Sequence, residues 1–258
     1  MSSTVASSEP IYFRDCGSGP PLLLIHGLMV SGEMFQPVVD HLAARHRLII
    51  PDLRGYGLSR NLPPPYTAAQ LAADLARLLD ALGIASTAVL GYSHGGAIAQ
   101  QFAVDYPARC DRLMLCCTYA FNMTTAREKV EGRLLPLLVW LLGPKRIARL
   151  MMSAGAKHMN QQQAEWLAGL MADQDRNLMV TACREAMAFD GRQRLSEIRC
   201  PTLIVAGSND TAVPIHHRNT LHHGIAGSRL VVMEGSDHTL IWTRTPEFLR
   251  VIDDFCSA

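Results

Sequence analysis

The sequence predicts an α/β fold with a mostly parallel central sheet of about eight strands, helices on both faces of the sheet, and one helical insertion. Short runs rich in Leu, Ile and Val recur along the chain without alternating with polar residues, which is typical of strands buried on both faces. Helical patterns lie between most of these runs, and such alternation indicates a parallel sheet covered by helices. The alternation stops over residues 119–198, where helical patterns follow one another without a convincing strand.

The strand-like runs begin with Ile11–Arg14, which we expect to form an antiparallel edge strand. The best-marked helix starts after Thr67, which forms a capping-box pair with Gln70, and it ends at Gly83. Another helix is expected over Ser93–Tyr106, and the proline that follows it marks its end. The remaining runs are predicted to form buried strands: Leu22–His26, Arg47–Ile50, Ala88–Tyr92, Leu113–Cys117, Thr202–Ala206 and Leu230–Met233.

The insertion contains seven of the twelve methionines of the chain. Methionine at helical spacing usually serves packing, and a helix that faces an apolar cleft would use it in the same way. We expect a sheet-based core formed by residues 1–118 and 199–258, with residues 119–198 as a helical cap. The helical patterns of the insertion cover Glu128–Leu142, Arg146–His158, Gln161–Met171 and Asn177–Phe189.

Composition excludes several classes of protein. Of the 258 residues, 48% are hydrophobic and 18% are charged, which fits a folded globular protein and argues against disorder. The 24 cationic and 23 acidic residues give a formal charge of +1, so a nucleic-acid-binding protein is not expected. Met1–Pro10 lacks a secretory pattern, and the longest apolar run, Leu134–Leu142, is too short to span a bilayer. With seven cysteines and no CxxC spacing, we expect a cytoplasmic protein with reduced thiols.

The turn from Gly91 to Gly95 carries the clearest chemical signal. It has the pattern Gly-Tyr-Ser-His-Gly, follows a predicted strand and opens a predicted helix. A serine on such a sharp turn is held with its hydroxyl exposed above the sheet, which makes Ser93 a candidate nucleophile. The backbone N–H of His94, at the helix start, points to where a negative oxygen could form. A glycine-rich structural turn is the alternative interpretation.

A serine nucleophile needs a base and an acid, and both follow strands later in the chain. Asp210 follows the strand-like run at 202–206, and His238 follows the last run. Both therefore lie at carboxyl ends of parallel strands, where the crevice of an open α/β sheet is found. We expect Asp237 to face solvent, because adjacent residues of an extended segment point to opposite sides.

The sequence resembles the α/β-hydrolase superfamily over residues 11–255. The resemblance is carried by the chain order of Ser93, Asp210 and His238 and by five matched segments. This resemblance implies that residues 119–198 cover the active site, that the N–H of Leu28 is a second oxyanion donor beside His94, and that ester hydrolysis proceeds without a cofactor. The matched segments are His26-Gly27, Asp52 to Ser59, the turn at Ser93, Gly207 to Pro214, and His238 with Pro246.

Several further residues are candidates with competing interpretations. For His26, a hydrogen-bonded loop anchor is favoured over a catalytic role. The pairs His216-His217 and His222-His223 lack the i, i+4 spacing of two ligands on one helix face, so we expect a solvated helix face and no metal. The candidate pocket residues, besides His26, are Leu135, Leu138, Trp140, Met151, Met152, Trp166 and Met171.

These observations predict a serine hydrolase, carboxylesterase-like, that cleaves an ester of a small to medium, mainly apolar molecule through an acyl-enzyme. Three alternatives stay open: a carbon–carbon bond hydrolase, enol-lactonase or methyl esterase with the same triad; a haloperoxidase-like perhydrolase; and a ligand receptor with a slow triad. Enzymes with an aspartate nucleophile are disfavoured because residue 93 is serine. The only partner expected is the substrate, although Leu134–Leu142 leaves contact with lipid or a second subunit, as in a homodimer, open.

Overall fold

The computed structural model of the protein describes residues 10–155 and 158–257 and centres on a seven-stranded sheet. The strand order is β1-β3-β2-β4-β5-β6-β7, with β1 antiparallel to β3 and all other neighbours parallel. The strands are β1 (Phe13–Cys16), β2 (Pro21–Ile25), β3 (Arg47–Pro51), β4 (Thr87–Tyr92), β5 (Cys110–Cys116), β6 (Thr202–Gly207) and β7 (Arg229–Met233).

The predicted fold class and the antiparallel edge strand are confirmed, but the expected count of about eight strands is one too high for the described residues. Each of the seven apolar runs named above forms a strand, and no further run that could form an eighth was identified in the sequence. The central strands are buried along most of their length, as their continuous apolar runs predict. The sheet therefore forms the middle layer of the hydrophobic core.

Ten α-helices lie in the described residues. The helices that flank the sheet include α2 and α3, which pack against each other. Within the described residues, no helix is both long and apolar enough to cross a membrane. The helices are α1 (Gln36–Ala43), α2 (Ala68–Ala81), α3 (His94–Asp105), α4 (Ala126–Leu142), α5 (Pro144–Gly155), α6 (Gln161–Ala172), α7 (Arg176–Ala188), α8 (Ile215–Gly224), α9 (Leu240–Thr243) and α10 (Thr245–Ser257).

The start of α2 differs from the predicted capping box in one respect. The Thr67 hydroxyl accepts a hydrogen bond from the backbone N–H of Gln70, as predicted. The Gln70 side chain does not complete the box, because its amide donates to Asp74 Oδ1 at 3.0 Å. The hydrogen bond to a carboxylate one turn further along the helix thus orients the Gln70 amide, whose oxygen the box would have used as acceptor for the Thr67 N–H.

Four helices, α4 to α7, form the segment between β5 and β6. Helix α4 packs against α7, and α5 packs against α6. A complete capping box between Thr125 and Glu128 starts α4, and Gly143, with φ of 76°, ends it and allows the chain to turn directly into α5. The predicted helix over Arg146–His158 extends into residues 156 and 157, which lie outside the described residues, as do residues 1–9.

A buried ion pair connects the loop after β3 to helix α2. Arg54 Nε and Nη2 donate to the two carboxylate oxygens of Asp74 at 2.6 and 2.9 Å, and both side chains are 3% exposed. Arg77 donates to the same carboxylate from a side chain that is 53% exposed. The Asp74 carboxylate therefore accepts hydrogen bonds from one buried and one exposed guanidinium.

Replacing Asp74 by alanine should lower the free energy of unfolding by about 3–5 kcal/mol, because the Arg54 guanidinium stays buried without this carboxylate. Replacing Arg77 by alanine is the matched control, and the loss should stay below about 1 kcal/mol because that pair is exposed. Urea unfolding followed by tryptophan fluorescence measures both values. Similar losses in the two variants would contradict this assignment.

Candidate active site

Ser93 lies on the turn between β4 and α3, in a backbone conformation that few residues adopt. Its φ is 55° and its ψ is −124°, and its N–H donates to the carbonyl oxygen of Cys116 at 2.9 Å. A Cβ on Gly91 would collide with the carbonyl of Gly95, and a Cβ on Gly95 would collide with the carbonyl of Ile25. The turn can therefore form only where both glycines are present, and the surrounding strands hold the strained serine in place.

A chain of two hydrogen bonds runs from Ser93 through His238 to Asp210. His238 Nε2 lies 3.1 Å from Ser93 Oγ, and His238 Nδ1 lies 2.8 Å from Asp210 Oδ2. A carboxylate can only accept, so Nδ1 carries the proton and Nε2 is free to accept from the serine hydroxyl. The sequence predicted these three residues, and the structure brings them together.

The electrostatics of this chain follow from burial and from charge. Burial acts to raise the pKa of Asp210, but the charge and hydrogen bond of His238 and the backbone N–H groups of Val213 and Ala212 outweigh it, so the pKa of Asp210 is lowered. Burial acts to lower the pKa of His238, but the charge and hydrogen bond of Asp210, with a contribution from Asp237, raise it above its ordinary value. Asp210 is therefore a carboxylate that favours a protonated His238.

The loop around His238 is held by hydrogen bonds from Tyr92 of β4 and from Thr239, the residue that follows His238. The Tyr92 hydroxyl donates to the carbonyl oxygen of His238 at 2.8 Å. Asp237 accepts from the backbone N–H and the hydroxyl of Thr239 and is only 8% exposed. The expectation that Asp237 faces solvent is wrong, because the chain bends into α9 at this point and does not continue as an extended segment.

The loop at Gly27-Leu28 passes directly beside the serine. A Cβ on Gly27 would lie 3.2 Å from Ser93 Cβ, so only a glycine leaves this approach free of crowding. Leu28 and His94 both line the cavity above Ser93. Both residues predicted as backbone donors therefore lie at the wall of this cavity, as does Ser93.

His26 anchors this loop. Its Nε2 accepts from the backbone N–H of Leu53 at 3.0 Å, so Nδ1 carries the proton and donates to the carbonyl oxygen of Gly27 at 2.8 Å. The ring is fully buried, and burial lowers its pKa. His26 does not line the cavity, because its ring lies behind the loop between two backbone segments.

His94 is also neutral and buried. Burial, with a smaller contribution from His26, lowers the pKa of His94 to about 4. Its Nδ1 lies 3.0 Å from the Tyr119 hydroxyl, and the two rings are stacked. Tyr119 was not singled out from the sequence, since nothing local marks a tyrosine whose partner lies 25 positions earlier.

A cavity of about 340 Å³ opens above Ser93, between the sheet and helices α4 to α7. Four of the predicted pocket residues, Leu135, Met151, Met152 and Met171, line it. The methionine-rich composition of the insertion was the signal for them. The lining also contains residues that sequence reasoning missed, namely Met34, Tyr119, Asn122, Leu167, Met187 and Trp242.

Three predicted wall residues do not line this cavity. Leu138 and Trp140 lie on the outer side of α4, 40% and 55% exposed, while Leu135 takes the inner position. Trp166 packs against the hydrophobic core, and its neighbour Leu167 faces the cavity. Apolar residues occur on both sides of these helices, so residue type alone did not identify the inner side.

The histidine pair of α8 is not the solvated face that we expected. His217 is buried, and its Nε2 lies 2.9 Å from Glu128 Oε1; His216 Nε2 lies 2.9 Å from the same oxygen. The reason is that Glu128, in the first turn of α4, reaches both histidines of α8. The other pair does follow the expectation in part, since His223 is exposed while His222 bonds Ser228.

Glu128 is the centre of this contact. Its other oxygen, Oε2, accepts from the N–H and hydroxyl of Thr124 and from the N–H of Thr125. Burial acts to raise the pKa of Glu128, but these bonds and His217 lower it to about 2. Burial, with His216, lowers the pKa of His217, so the neutral ring donates an ordinary hydrogen bond at pH 7. Glu128, His216 and His217 together are ligand types that would suit a divalent cation, although these side chains already pair with one another.

Comparisons with known proteins agree with this architecture. The chain matches the family model of the alpha/beta hydrolase fold over residues 20–143 and a model described as TAP-like protein over residues 170–255. A relative from Azorhizobium caulinodans that carries the name carbamate hydrolase RutD is 29% identical over 255 residues, covering 95% of this chain and 94% of that protein.

Two further comparisons cover most of the chain. The magnesium-chelatase 30 kDa subunit of Rhodobacter capsulatus is 34% identical over 211 residues, covering 77% of this chain and 73% of that protein. Among solved structures, a thermophilic esterase from Thermogutta terrifontis is 27% identical with a TM-score of 0.86, covering 96% of this chain and 93% of that one. By sequence and by fold, the chain belongs to the α/β-hydrolase superfamily.

Proposed function

We propose that the protein is a serine hydrolase that cleaves a carboxylic ester of a small to medium, mainly apolar molecule. The observation that carries this proposal is the hydrogen-bonded chain Ser93–His238–Asp210 at the floor of an apolar cavity. The likeness to a solved esterase supports an ester as the bond that is cleaved. The same three groups could serve lactones or carbon–carbon bonds, but no contact in the site favours either of them.

In the proposed mechanism, Ser93 Oγ attacks the ester carbonyl while His238 Nε2 takes the hydroxyl proton. The negative oxygen of the tetrahedral intermediate is bound by the backbone N–H groups of Leu28 and His94, each worth about 10²–10³ in turnover. Asp210 keeps the protonated ring in position. His238 then protonates the leaving alcohol, and the acyl group stays on Ser93. Water, activated by His238, hydrolyses the acyl-enzyme and restores the serine.

The lining of the cavity supports a mainly apolar substrate. Its walls combine methionine and leucine side chains from the four-helix segment with Trp242 from the core. A volume of about 340 Å³ lies at the lower end of the range for small-molecule pockets. The polar groups in the lining are few and include Asn122, Glu128 and Glu131, which can orient one polar end of a substrate.

We further propose that residues 119–198 act as a cap over this cavity, anchored at one end by Glu128. The anchor joins α4 to α8 through His217, and residues of α4, α5 and α6 supply one wall of the cavity. The seven cysteines are all free, which supports a reducing, cytoplasmic environment.

Replacing Ser93 by alanine should lower the turnover of p-nitrophenyl esters by at least about 10⁴-fold, because no other group on the chain replaces the nucleophile. Labelling by a fluorophosphonate, located by mass spectrometry, should occur at Ser93 and disappear in this variant. Ser153→Ala, an exposed serine of the cap, is the matched control and should keep both activities. Retained full turnover in Ser93→Ala would overturn the mechanism.

The pH dependence of kcat/KM should report the raised pKa of His238. The neutral ring is the base, so activity should be full above this pKa and fall as the pH drops through it. Asp210→Asn removes the main charge that raises the pKa, so the acid limb should move to lower pH while the maximum falls about 10³–10⁴-fold. Asp237→Asn, as control, should shift the limb less. An acid limb that does not move in Asp210→Asn would contradict the assignment.

Replacing Glu128 by glutamine should loosen the cap, because the charge that accepts from both histidines of α8 is lost. We expect a loss of stability of about 1–3 kcal/mol and a rise in KM that exceeds the fall in kcat. Thermal unfolding and ester kinetics measure these effects. The control is Glu165→Gln, an exposed carboxylate on α6. A fall in kcat with no change in KM or stability would argue against an anchoring role.

A further inference from the structure

We propose that the outer face of helices α4 and α5 docks on an anionic lipid surface. This docking face consists of large apolar side chains, each 40% exposed or more: Val130, Leu134, Leu137, Leu138, Trp140, Leu141, Leu150 and Met151. In the rest of the described chain, only Tyr12, Leu58 and Ile215 are large, apolar and this exposed. A contiguous apolar surface of this kind marks an interaction site.

Helix α4 is apolar on two opposite sides, and only one of them is covered. Gly132, Pro136 and Val139 are buried against the rest of the protein. On the other side, apolar residues recur at positions 130, 134, 137, 138 and 141, the spacing of one helical stripe, and this stripe is exposed. The protein core accounts for the first side of α4 but not for the second.

The charges around this face select the kind of partner. Residues 126–153 contain six cationic side chains, Arg127, Lys129, Arg133, Lys145, Arg146 and Arg149, against two carboxylates. All six are exposed, and among the described residues only Arg127 has an acidic partner within 4 Å. The rest of the chain carries more acidic than cationic residues, since the formal charge of the whole chain is +1. The positive charge is therefore concentrated around the exposed apolar stripe.

Apolar side chains bordered by Lys and Arg are the pattern of a helix that lies in the interface of an anionic membrane. Trp140 supplies the aromatic ring that prefers the headgroup level. A second copy of this chain fits less well, because a two-fold contact through this face would bring the cationic groups of both chains together. The charge pattern therefore favours lipid over a homodimer as the occupant.

The face also communicates with the substrate cavity. Met151 is 43% exposed on the docking face and lines the cavity above Ser93. A second, outer cavity of about 490 Å³ is lined by Arg133, Leu137 and Trp140. The two cavities share Gly132 and Met187 in their walls. An apolar substrate dissolved in the bilayer would thus meet the outer cavity first, beside the wall residues that it shares with the inner one.

The test is binding of the full chain to vesicles by flotation, with phosphatidylcholine alone and with phosphatidylcholine mixed with phosphatidylglycerol. We expect binding to the mixed vesicles that weakens as salt is added, and at least about tenfold weaker partition to the neutral ones. Ser93→Ala should bind like the parent chain, so that failure of the hydrolase proposal and failure of this one are distinguishable.

Two sets of variants separate the apolar and the charged contributions. Leu137→Gln with Trp140→Gln should weaken partition at least about tenfold at every salt concentration. Arg133→Gln with Lys145→Gln and Arg146→Gln should do so mainly at low salt. The matched controls are Leu58→Gln and Arg229→Gln, which are exposed and lie outside the face, and both should bind like the parent. Thermal unfolding verifies that the variants are folded.

Three outcomes would overturn the proposal. The first is absence of binding to the mixed vesicles by the folded parent chain. The second is binding that the face variants and the controls share to the same degree. The third is a dimer in sedimentation experiments that dissociates in the Leu137 and Trp140 variant, because the occupant of the face would then be a second copy.

Discussion

The active-site geometry depends on how closely three backbone segments approach one another around Ser93. Gly91 and Gly95 let the end of β4 and the start of α3 contact each other and the end of β2, where a Cβ at either position would collide with a carbonyl oxygen. This contact holds Ser93 at a φ of 55° and places its hydroxyl above the sheet edge. Since Gly27 passes the same serine, the loop that carries Leu28 is placed by the same constraint. Position, not intrinsic reactivity, is what the fold supplies to the serine.

Burial and charge act against each other at His238, and the balance determines what the ring can do. Burial alone would hold the ring neutral and poorly able to accept a proton. The Asp210 carboxylate reverses the direction of the shift, and two backbone N–H groups hold that carboxylate in turn. His26 and His94 show the contrast: both are buried without a bonded carboxylate, and the pKa of each is lowered. Of these three rings around the serine, only His238 therefore favours the protonated form that the reaction requires.

The parts that could be predicted from the sequence are those with local signals. Ser93 directly follows an apolar strand, and Asp210 and His238 lie in the loops that follow two others. Parallel strands bring their carboxyl ends to one edge, so strand prediction almost implies that the three residues are close together. The contact of Glu128 with His217 has no such signal, because it joins segments 89 positions apart. Asp237 was misplaced because its loop bends into a helix of four residues that no periodicity could reveal. The sequence therefore could not predict tertiary contacts that join distant or irregular segments.

The residues of the cavity wall show a different limit of prediction from sequence, and this limit concerns the helical segment α4 to α7. For an amphipathic helix, the apolar side identifies the inner side, but α4 is apolar on two opposite sides. Leu135 faces the cavity while Leu134 faces outward, and no property of leucine distinguishes them. A helix that covers only its own protein has no physical reason to keep the second apolar side, since exposed leucines there add nothing to folding and favour aggregation. The outer side of α4 therefore has to be explained by something other than the fold, and the surrounding cationic residues restrict what that can be.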